Sequence, residues 1–386
     1  MTKPDGLERR VRGRLRALKH EGLIRTLRAP TGVDLSSNDY LCLSRHPDLR
    51  LRMAAAIELE GCGSTGSRLL RGERESFAAI ERRFAAFKET DGALLFSSGY
   101  LANLAVLTTF PEKGDLILSD RLNHASLIDG ARLSAARRIV FPHRDPAALA
   151  ALIDQHNDGG QVFVVTESVF SMDGDEAPLA DYAAICRERG AWLIVDEAHA
   201  VGVFGQRGSG LIEDTGTKDD VFLSINTGGK ALGVGGAFVA GSTWAIDYLM
   251  QRARPFVYST APPPSLAAAL GASLTVVGNE SNRRKTLFAR TRRMRLRLGE
   301  LGVSSVPGRS QIVPVLLGDN DRAVMVAEAL QAQGFDVRAI RPPTVPPGTA
   351  RLRVAVNVGL SDGTVDEFAA ALSAALKSTP CSVASS

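Results

Sequence analysis

Residues 192–205 read W-L-I-V-D-E-A-H-A-V-G-V-F-G, and residues 221–236 read V-F-L-S-I-N-T-G-G-K-A-L-G-V-G-G. The first opens on an apolar run, Trp192 to Val195, that ends in Asp196, with His199 three residues on. Such a run reads as a buried strand delivering a carboxylate and an imidazole to its C-terminal end, where open α/β sheets bind their ligands. The second run, Val221 to Ile225, leads into Thr227-Gly228-Gly229-Lys230, a glycine-loosened loop that presents one lysine beside a hydroxyl. A lysine fed by one strand and an aspartate ending another suit pyridoxal 5'-phosphate. The lysine amine forms a Schiff base with the aldehyde, and a carboxylate at the pyridinium nitrogen keeps it protonated, so the ring accepts electrons. Taken alone, Lys230 reads better as an ordinary loop lysine and Asp196 as a strand-end turn residue. The flanking motifs reverse that balance.

A chain of 386 residues exceeds one compact core and predicts a large domain with a smaller one attached. The expected divisions are an N-terminal helix and arm over 1–45, a cofactor-binding domain over 46–281, a C-terminal α+β domain over 282–378, and a disordered Ser-rich tail over 379–386. With 45% hydrophobic residues and no apolar run long enough to span a bilayer, the sequence predicts no membrane segment. The N-terminus carries Asp5 and Glu8 among its arginines and lacks an apolar core, which argues against a signal peptide and for a cytoplasmic location. Cys42, Cys62, Cys186 and Cys381 are scattered, with no C-x-x-C pair, so neither a disulfide framework nor a metal site is expected. The net charge is +4, and the run from Arg9 to Arg16 has the charge of a nucleic-acid arm. Leu7, Val11, Leu15 and Leu18 recur there at helical spacing, however, which predicts an amphipathic helix docked on the body with its arginines in water, and no nucleic-acid partner.

The remaining candidates lie at strand ends. Val33 to Ser44 reads as a short strand into a polar turn, with Asn38 and Tyr40 as its interesting donors. Gly61 to Arg68 is a Gly/Ser-rich loop, and Ser76 to Lys88 a helix with Phe77, Ile80, Phe84 and Phe87 on one face. Ala93 to Asn103 reads strand, tight turn, helix. It puts Ser98-Gly99-Tyr100 at a helix N-terminus, where free N–H groups favour a phosphate, although a plain capping serine has the same signature. His124 follows the strand Asp115 to Asp120, where it could lie over a flat cofactor or merely cap a helix. Gln161 to Thr166 is a further strand, delivering Glu167 and the polar loop Ser168 to Asp175 to the same edge. His20, His46, His143 and His156 lie in polar stretches and receive no role. The alternation of strand and helix predicts an α/β fold with a mostly parallel sheet and right-handed crossovers.

F-S-S-G-Y-L-A-N, N-H-A-S, T-E-S-V-F-S-M-D-G-D, V-D-E-A-H, T-G-G-K-A-L-G, Y-S-T-A-P-P-P and R-P-P-T-V-P-P-G-T-A-R-L-R occur in this order. Together they resemble the α-oxoamine synthases, pyridoxal-phosphate enzymes of fold type I, over residues 23–356. The resemblance implies that Lys230 holds the cofactor and removes the substrate Cα proton, that Asp196 pairs with the ring nitrogen, that His199 donates to the ring oxygen, and that His124 stacks on the ring. It implies cofactor contacts from Ser98, Gly99, Tyr100, Glu167, Ser171 and Thr227, and from Thr260 toward the partner subunit of a homodimer. Asn38 and Arg353 resemble the pair that grips the amino-acid carboxylate, a task suited to a bidentate guanidinium; Arg25, Arg341 and Thr344 resemble further substrate contacts. Residues 341–353 are most similar to members that join L-alanine to a pimeloyl thioester, carried by CoA or acyl carrier protein, in biotin biosynthesis.

The sequence departs from the family pattern at Phe77, where histidine is common, at Cys42 in place of glycine in N-D-Y-L-C-L, and at Val201 and Leu360. These departures leave open a relative with a different amino acid or acyl group. A fold type I aminotransferase and a non-catalytic binding module are the other readings; the R-P-P-T-V-P motif speaks against the first, and Lys230, Asp196 and His199 together against the second. In the C-terminal part a basic helix is expected over 283–301, with strands at 311–317, 335–340 and 352–356. Pro342, Pro343, Pro346 and Pro347 stiffen a loop beside Arg353 that reads as a substrate wall.

Overall fold

The structure, a computed structural model, describes residues 6–156 and 159–379. Its strands are β1 (Val33–Asp34), β2 (Gly92–Phe96), β3 (Leu116–Asp120), β4 (Arg137–Phe141), β5 (Val162–Glu167), β6 (Trp192–Asp196), β7 (Val221–Thr227), β8 (Ala237–Gly241), β9 (Ile312–Gly318), β10 (Phe335–Asp336), β11 (Ala339–Ile340) and β12 (Ala350–Ala355). Seven of them form one sheet in the order β2-β8-β7-β6-β5-β3-β4. All neighbours are parallel except β8, which runs antiparallel to both β2 and β7. The central strands read as unbroken apolar runs because helices cover both faces of a parallel sheet. The edge strand β4 exposes Arg137 and Arg138, charges that discourage further strand addition.

Strand register sets the site. Glu167 at the end of β5 is the neighbour of Asp196 at the end of β6, and Asp196 is the neighbour of Ile225 on β7, two residues before Thr227. Lys230 follows in a turn closed by Gly228 N to Gly236 O at 2.8 Å. At Gly228 a Cβ would meet the Gly235 carbonyl at 2.2 Å, so only glycine permits this return.

The end of β6 is braced from beneath. Lys88, in the last turn of the helix Glu75–Lys88, forms a buried ion pair with Glu197 and donates to Ser209 O at 2.5 Å. The other Glu197 oxygen accepts from Ile212 N at 3.0 Å. Removing one partner of such a pair strands a buried charge. Lys88→Ala is therefore expected to lower unfolding stability by about 3 kcal/mol, read by chemical denaturation, and a loss below about 1 kcal/mol would show the pair to be dispensable. The same helix packs Phe84 on Phe238 of β8 with ring centroids 4.0 Å apart and planes 7° from parallel, tying it to the sheet.

Two expectations are corrected. The N-terminal helix forms over Gly6–His20, but none of its residues is buried and Leu7, Val11 and Leu15 are 60%, 45% and 51% exposed. The 3.6-residue spacing predicts a helix with an apolar stripe; it does not specify what that stripe meets, and among the described residues the stripe stays exposed. The stretch 335–340 is not one strand. β10 leaves to pair in parallel with β1, while β11 joins the antiparallel sheet β11-β12-β9. The mostly parallel main sheet is as expected, and its one antiparallel strand, β8, arises because the turn after Lys230 is too short for a parallel crossover. The tail beyond 379 and Cys381 lie outside the described residues; Cys42, Cys62 and Cys186 are free thiols. Among the described residues no helix is long and apolar enough to cross a membrane.

Candidate active site

Asp196 is buried, and both of its oxygens are already held: Oδ2 accepts from Asn103 Nδ2 at 2.8 Å and Oδ1 from Ala198 N at 2.9 Å. Asn103 lies on the helix Gly99–Thr109 and also donates to Ser126 Oγ at 2.8 Å, which is 2.7 Å from His124 Nδ1. His124 thus caps the helix Ala125–Leu133 and belongs to the Asp196 cluster at once. Desolvation lowers its pKa, against the pull of Asp196.

Lys230 Nζ is 2.7 Å from His199 Nε2. Burial pulls the lysine pKa down to about 8, although Asp196 and Glu167 oppose it. His199 is held well below its ordinary value by burial first and then by Lys230, Arg353 and His124. Glu167 is fully buried and moves the other way. Burial and the neighbouring Asp196 carboxylate raise it to about 8, so this side chain carries a proton at neutral pH.

β12 brings the small sheet onto this cluster. Arg351 and Arg353 are two apart and share a face: Arg351 pairs with Asp173, while the buried Arg353 donates from Nε to Ser171 O at 2.5 Å and from NH2 to Tyr40 Oη at 3.1 Å. Tyr40 Oη is 2.9 Å from Asn38 Oδ1 and 2.8 Å from His199 Nδ1. Asn38, Tyr40, Arg353, His199 and Lys230 thus form one connected network. Cys42 lies just beyond it with φ 52°, in the left-handed region, which accounts for the glycine usual at that position in the resembling family.

The residues fit pyridoxal phosphate. A Cβ at Gly99 would lie 2.7 Å from Thr227 Oγ1, so glycine keeps open the space between a helix N-terminus and a hydroxyl. Ser98 Oγ caps that helix through Leu101 N at 3.3 Å, which leaves the first N–H groups for a phosphate. Glu167 Oε1 is buried without a hydrogen-bond partner, while its Oε2 accepts from Ser171 N at 3.1 Å. A low-pKa lysine, an anchored carboxylate and an open phosphate cradle are what this cofactor requires.

Other candidates lie apart. Tyr100 is partly exposed and donates to Asp129 Oδ2 at 2.5 Å. Arg25 NH2 reaches Thr344 Oγ1 at 3.3 Å, and Arg341 donates to the carbonyls of Gly22 and Ile24, holding the arm against the proline-rich loop. These three line a cavity of about 690 Å³, with Arg28 and Arg338. Among the described residues no hydrogen bond or ion pair joins them to Lys230. Thr260 is exposed and bridges to Ser67.

Sequence reasoning marked Tyr40 only as a donor of interest and gave no site role to Asn103, Ser126 or His143. Asn103 ends the quoted motif F-S-S-G-Y-L-A-N, seven residues ahead of which nothing marks it as the support of Asp196; only the fold does. His143 lies between Asp120 and Asp175, at 2.9 and 2.8 Å. Burial alone would lower its pKa, but hydrogen bonds to the two carboxylates lift it to about 9. This cation anchors the loop that carries Ser171, and no local pattern announces it.

A family profile described as "Aminotransferase class I and II" matches residues 30–372. The chain is 48% identical over 349 residues to an 8-amino-7-oxononanoate synthase of Anaeromyxobacter dehalogenans, covering 90% of this chain and 87% of the relative. It is 43% identical over 382 residues to one of Alkalilimnicola ehrlichii, covering 95% and 97%. Among solved structures, a serine palmitoyltransferase from S. paucimobilis with a bound PLP–myriocin adduct superposes with a TM-score of 0.89 at 28% identity, covering 97% of this chain and 98% of that one. With a lysine, an aspartate and a phosphate cradle in the arrangement described, the chain belongs to the 8-amino-7-oxononanoate synthases, pyridoxal-phosphate-dependent acyltransferases of fold type I within the class I and II aminotransferase family.

Proposed function

We propose that this chain condenses L-alanine with a pimeloyl thioester of CoA or acyl carrier protein, releasing carbon dioxide and free thiol and giving 8-amino-7-oxononanoate for biotin biosynthesis. The observation that carries the reading is the continuity between Lys230, 2.7 Å from His199, and the carboxylate-gripping pair Asn38 and Arg353 on the far side of Tyr40. Pyridoxal phosphate, when bound, supplies an electron sink that stabilises negative charge at the amino-acid Cα. Asp196 would hold the proton at its ring nitrogen, Gly99, Tyr100 and Thr227 its phosphate, and Ser171, Glu167, His199 and His124 its ring. Lys230 Nζ acts as the base at Cα. Its depressed pKa means that a useful fraction is neutral at physiological pH. Arg353 and Asn38 bind the alanine carboxylate and orient the Cα–H bond toward that amine. Arg25, Thr344 and Arg341 form the acyl end of the site, and Thr260 completes the site of a second subunit in a homodimer. The proposed division of labour follows the boundaries 1–45, 46–281 and 282–378: arm, cofactor domain and substrate-closing domain.

The test is thiol release by cofactor-loaded protein given pimeloyl-CoA with L-alanine, glycine or L-serine in turn. Alanine-dependent release supports the reading. Release with glycine or serine alone replaces the amino-acid substrate, and amino-group exchange with a keto acid but no thiol release overturns the reading in favour of an aminotransferase. The lysine makes a further prediction. Only its neutral form attacks an aldehyde, so the rate of cofactor loading into apo-protein should climb about tenfold per pH unit below pH 8 and level off above it. A rate flat between pH 6 and 8 would contradict the environment described for Lys230.

A further inference from the structure

Tyr40 is fully buried, and its hydroxyl has three close hydrogen-bond partners in one place, Asn38 Oδ1 at 2.9 Å, His199 Nδ1 at 2.8 Å and Arg353 NH2 at 3.1 Å, with the Gln311 amide, which donates to His199 O at 2.9 Å, also facing it. A phenol has one proton to give. Arg353 can only donate, so the Tyr40 proton has two competing acceptors, and two arrangements follow. If it goes to Asn38, the short contact with His199 requires Nδ1–H to donate to the tyrosine oxygen, which leaves a lone pair on Nε2 for the Lys230 ammonium. If it goes to His199 Nδ1, the imidazole carries its own proton on Nε2, where it acts as a donor toward the lysine nitrogen. His199 remains neutral in both, as burial and the cations around it demand.

Building on the cofactor and carboxylate assignments above, we propose that the Tyr40 hydroxyl is a two-position switch between Asn38 and His199 that sets which His199 nitrogen carries the proton, and through it tunes the proton affinity of Lys230 Nζ. Tyr40 is then a positioning residue acting through His199. The switch also links the two halves of the reaction site, since Asn38 and Arg353, two of the three partners of the hydroxyl, are the groups that meet the amino-acid carboxylate. The groups facing His199 and Lys230 are otherwise fixed: His124 and Asp196 at the ends of β3 and β6, Glu167 on β5 and Arg353 on β12. None of these offers a second position for a proton on the Nδ1 side of His199.

The experiment follows the rate of cofactor loading into apo-protein of wild type, Tyr40→Phe and Asn38→Ala with pH, without substrate, and reads the midpoint of the Lys230 amine from each profile. Asn38→Ala removes the competing acceptor and commits the hydroxyl to His199, so that Nε2 donates and the midpoint falls. Tyr40→Phe removes the donor to Nδ1, the lone pair returns to Nε2, and the midpoint rises; each shift is expected at about one pH unit. Opposite shifts support the switch. Unchanged midpoints, shifts of the same sign, or a wild-type loading rate that does not change with pH overturn it. Should Tyr40→Phe not load cofactor, Asn38→Ala decides alone, a fall supporting the switch and no change or a rise overturning it. Because no substrate is present, a wild type that titrates but releases no thiol would sink the proposed reaction and leave the switch standing.

Discussion

Lys230→Ala protein is expected to lose thiol release by a factor of at least about 10⁴, because in the proposed mechanism one amine both holds the cofactor and takes the Cα proton. The same change should stabilise the apo-protein near neutral pH. Burial depresses the Lys230 pKa from its ordinary 10.5 to about 8, so the unfolded chain binds the proton more tightly than the folded one. The penalty is fully present below pH 8 and vanishes as pH rises toward 10.5. Thermal unfolding of apo wild type and Lys230→Ala should accordingly differ at pH 7, with the variant higher, and converge by pH 10.5. A variant that melts below wild type at pH 7 would mean that Asp196 and Glu167 stabilise the ammonium more than burial penalises it. A variant that still turns over within about a hundredfold of wild type would remove Lys230 from the chemistry altogether.

This opposition between stability and function recurs through the site. Glu167 is raised to about 8 by burial beside Asp196, and His199 is kept neutral among cations. Each is a cost of folding that a binding pocket for a charged, flat cofactor imposes. Lys88 with Glu197, and His143 with its two aspartates, are the compensating contacts directly beneath and beside it. For His143 the sign is reversed. Its pKa is raised from 6.5 to about 9, so its contribution is fully present below pH 6.5 and lost as pH rises through 9.

The strands that frame the site were legible because parallel, doubly covered strands are continuous apolar runs, and each one ends where its polar residue begins: Val195 to Asp196, Thr166 to Glu167, Ile225 to Thr227. Lys230, His199 and Asp196 could therefore be read as neighbours before any coordinates. What could not be read was anything that depends on long-range register. Arg353 is 182 residues from the Ser171 carbonyl it holds, and Tyr40 is 159 from His199. Neither separation leaves a trace in local periodicity. Likewise the split of 335–340 into β10 and β11 is decided by the availability of β1 as a partner, and the helix Gly6–His20 obeys its spacing while its apolar stripe stays exposed among the described residues. Cys42 lay between. Its place in a glycine position was visible, but only the left-handed φ of 52° says why glycine is usual there.

Asp196→Asn should cost about a thousandfold in turnover, roughly 4 kcal/mol of transition-state stabilisation, with the fold retained. The reasoning is geometric as well as electrostatic. Both carboxylate oxygens accept from fixed donors, Asn103 Nδ2 and Ala198 N, so an amide at this position must turn its own N–H₂ against one of them. The substitution therefore removes the charge proposed to keep the ring nitrogen protonated and loosens the group that would replace it. It also removes the neighbour that, after burial, does most to raise Glu167, so the Glu167 carboxyl should titrate lower in the variant. Asn103→Ala separates the two causes. That change leaves the Asp196 charge in place and removes only its anchor, and a loss of about tenfold is expected, with the visible spectrum of the loaded protein unchanged in pH response. If Asp196→Asn and Asn103→Ala fell equally, orientation alone would account for the role of Asp196. If Asp196→Asn stayed within tenfold of wild type, the ring nitrogen would have to be served by another residue, and Glu167, buried with one free oxygen on the adjacent strand, would be the group to change next.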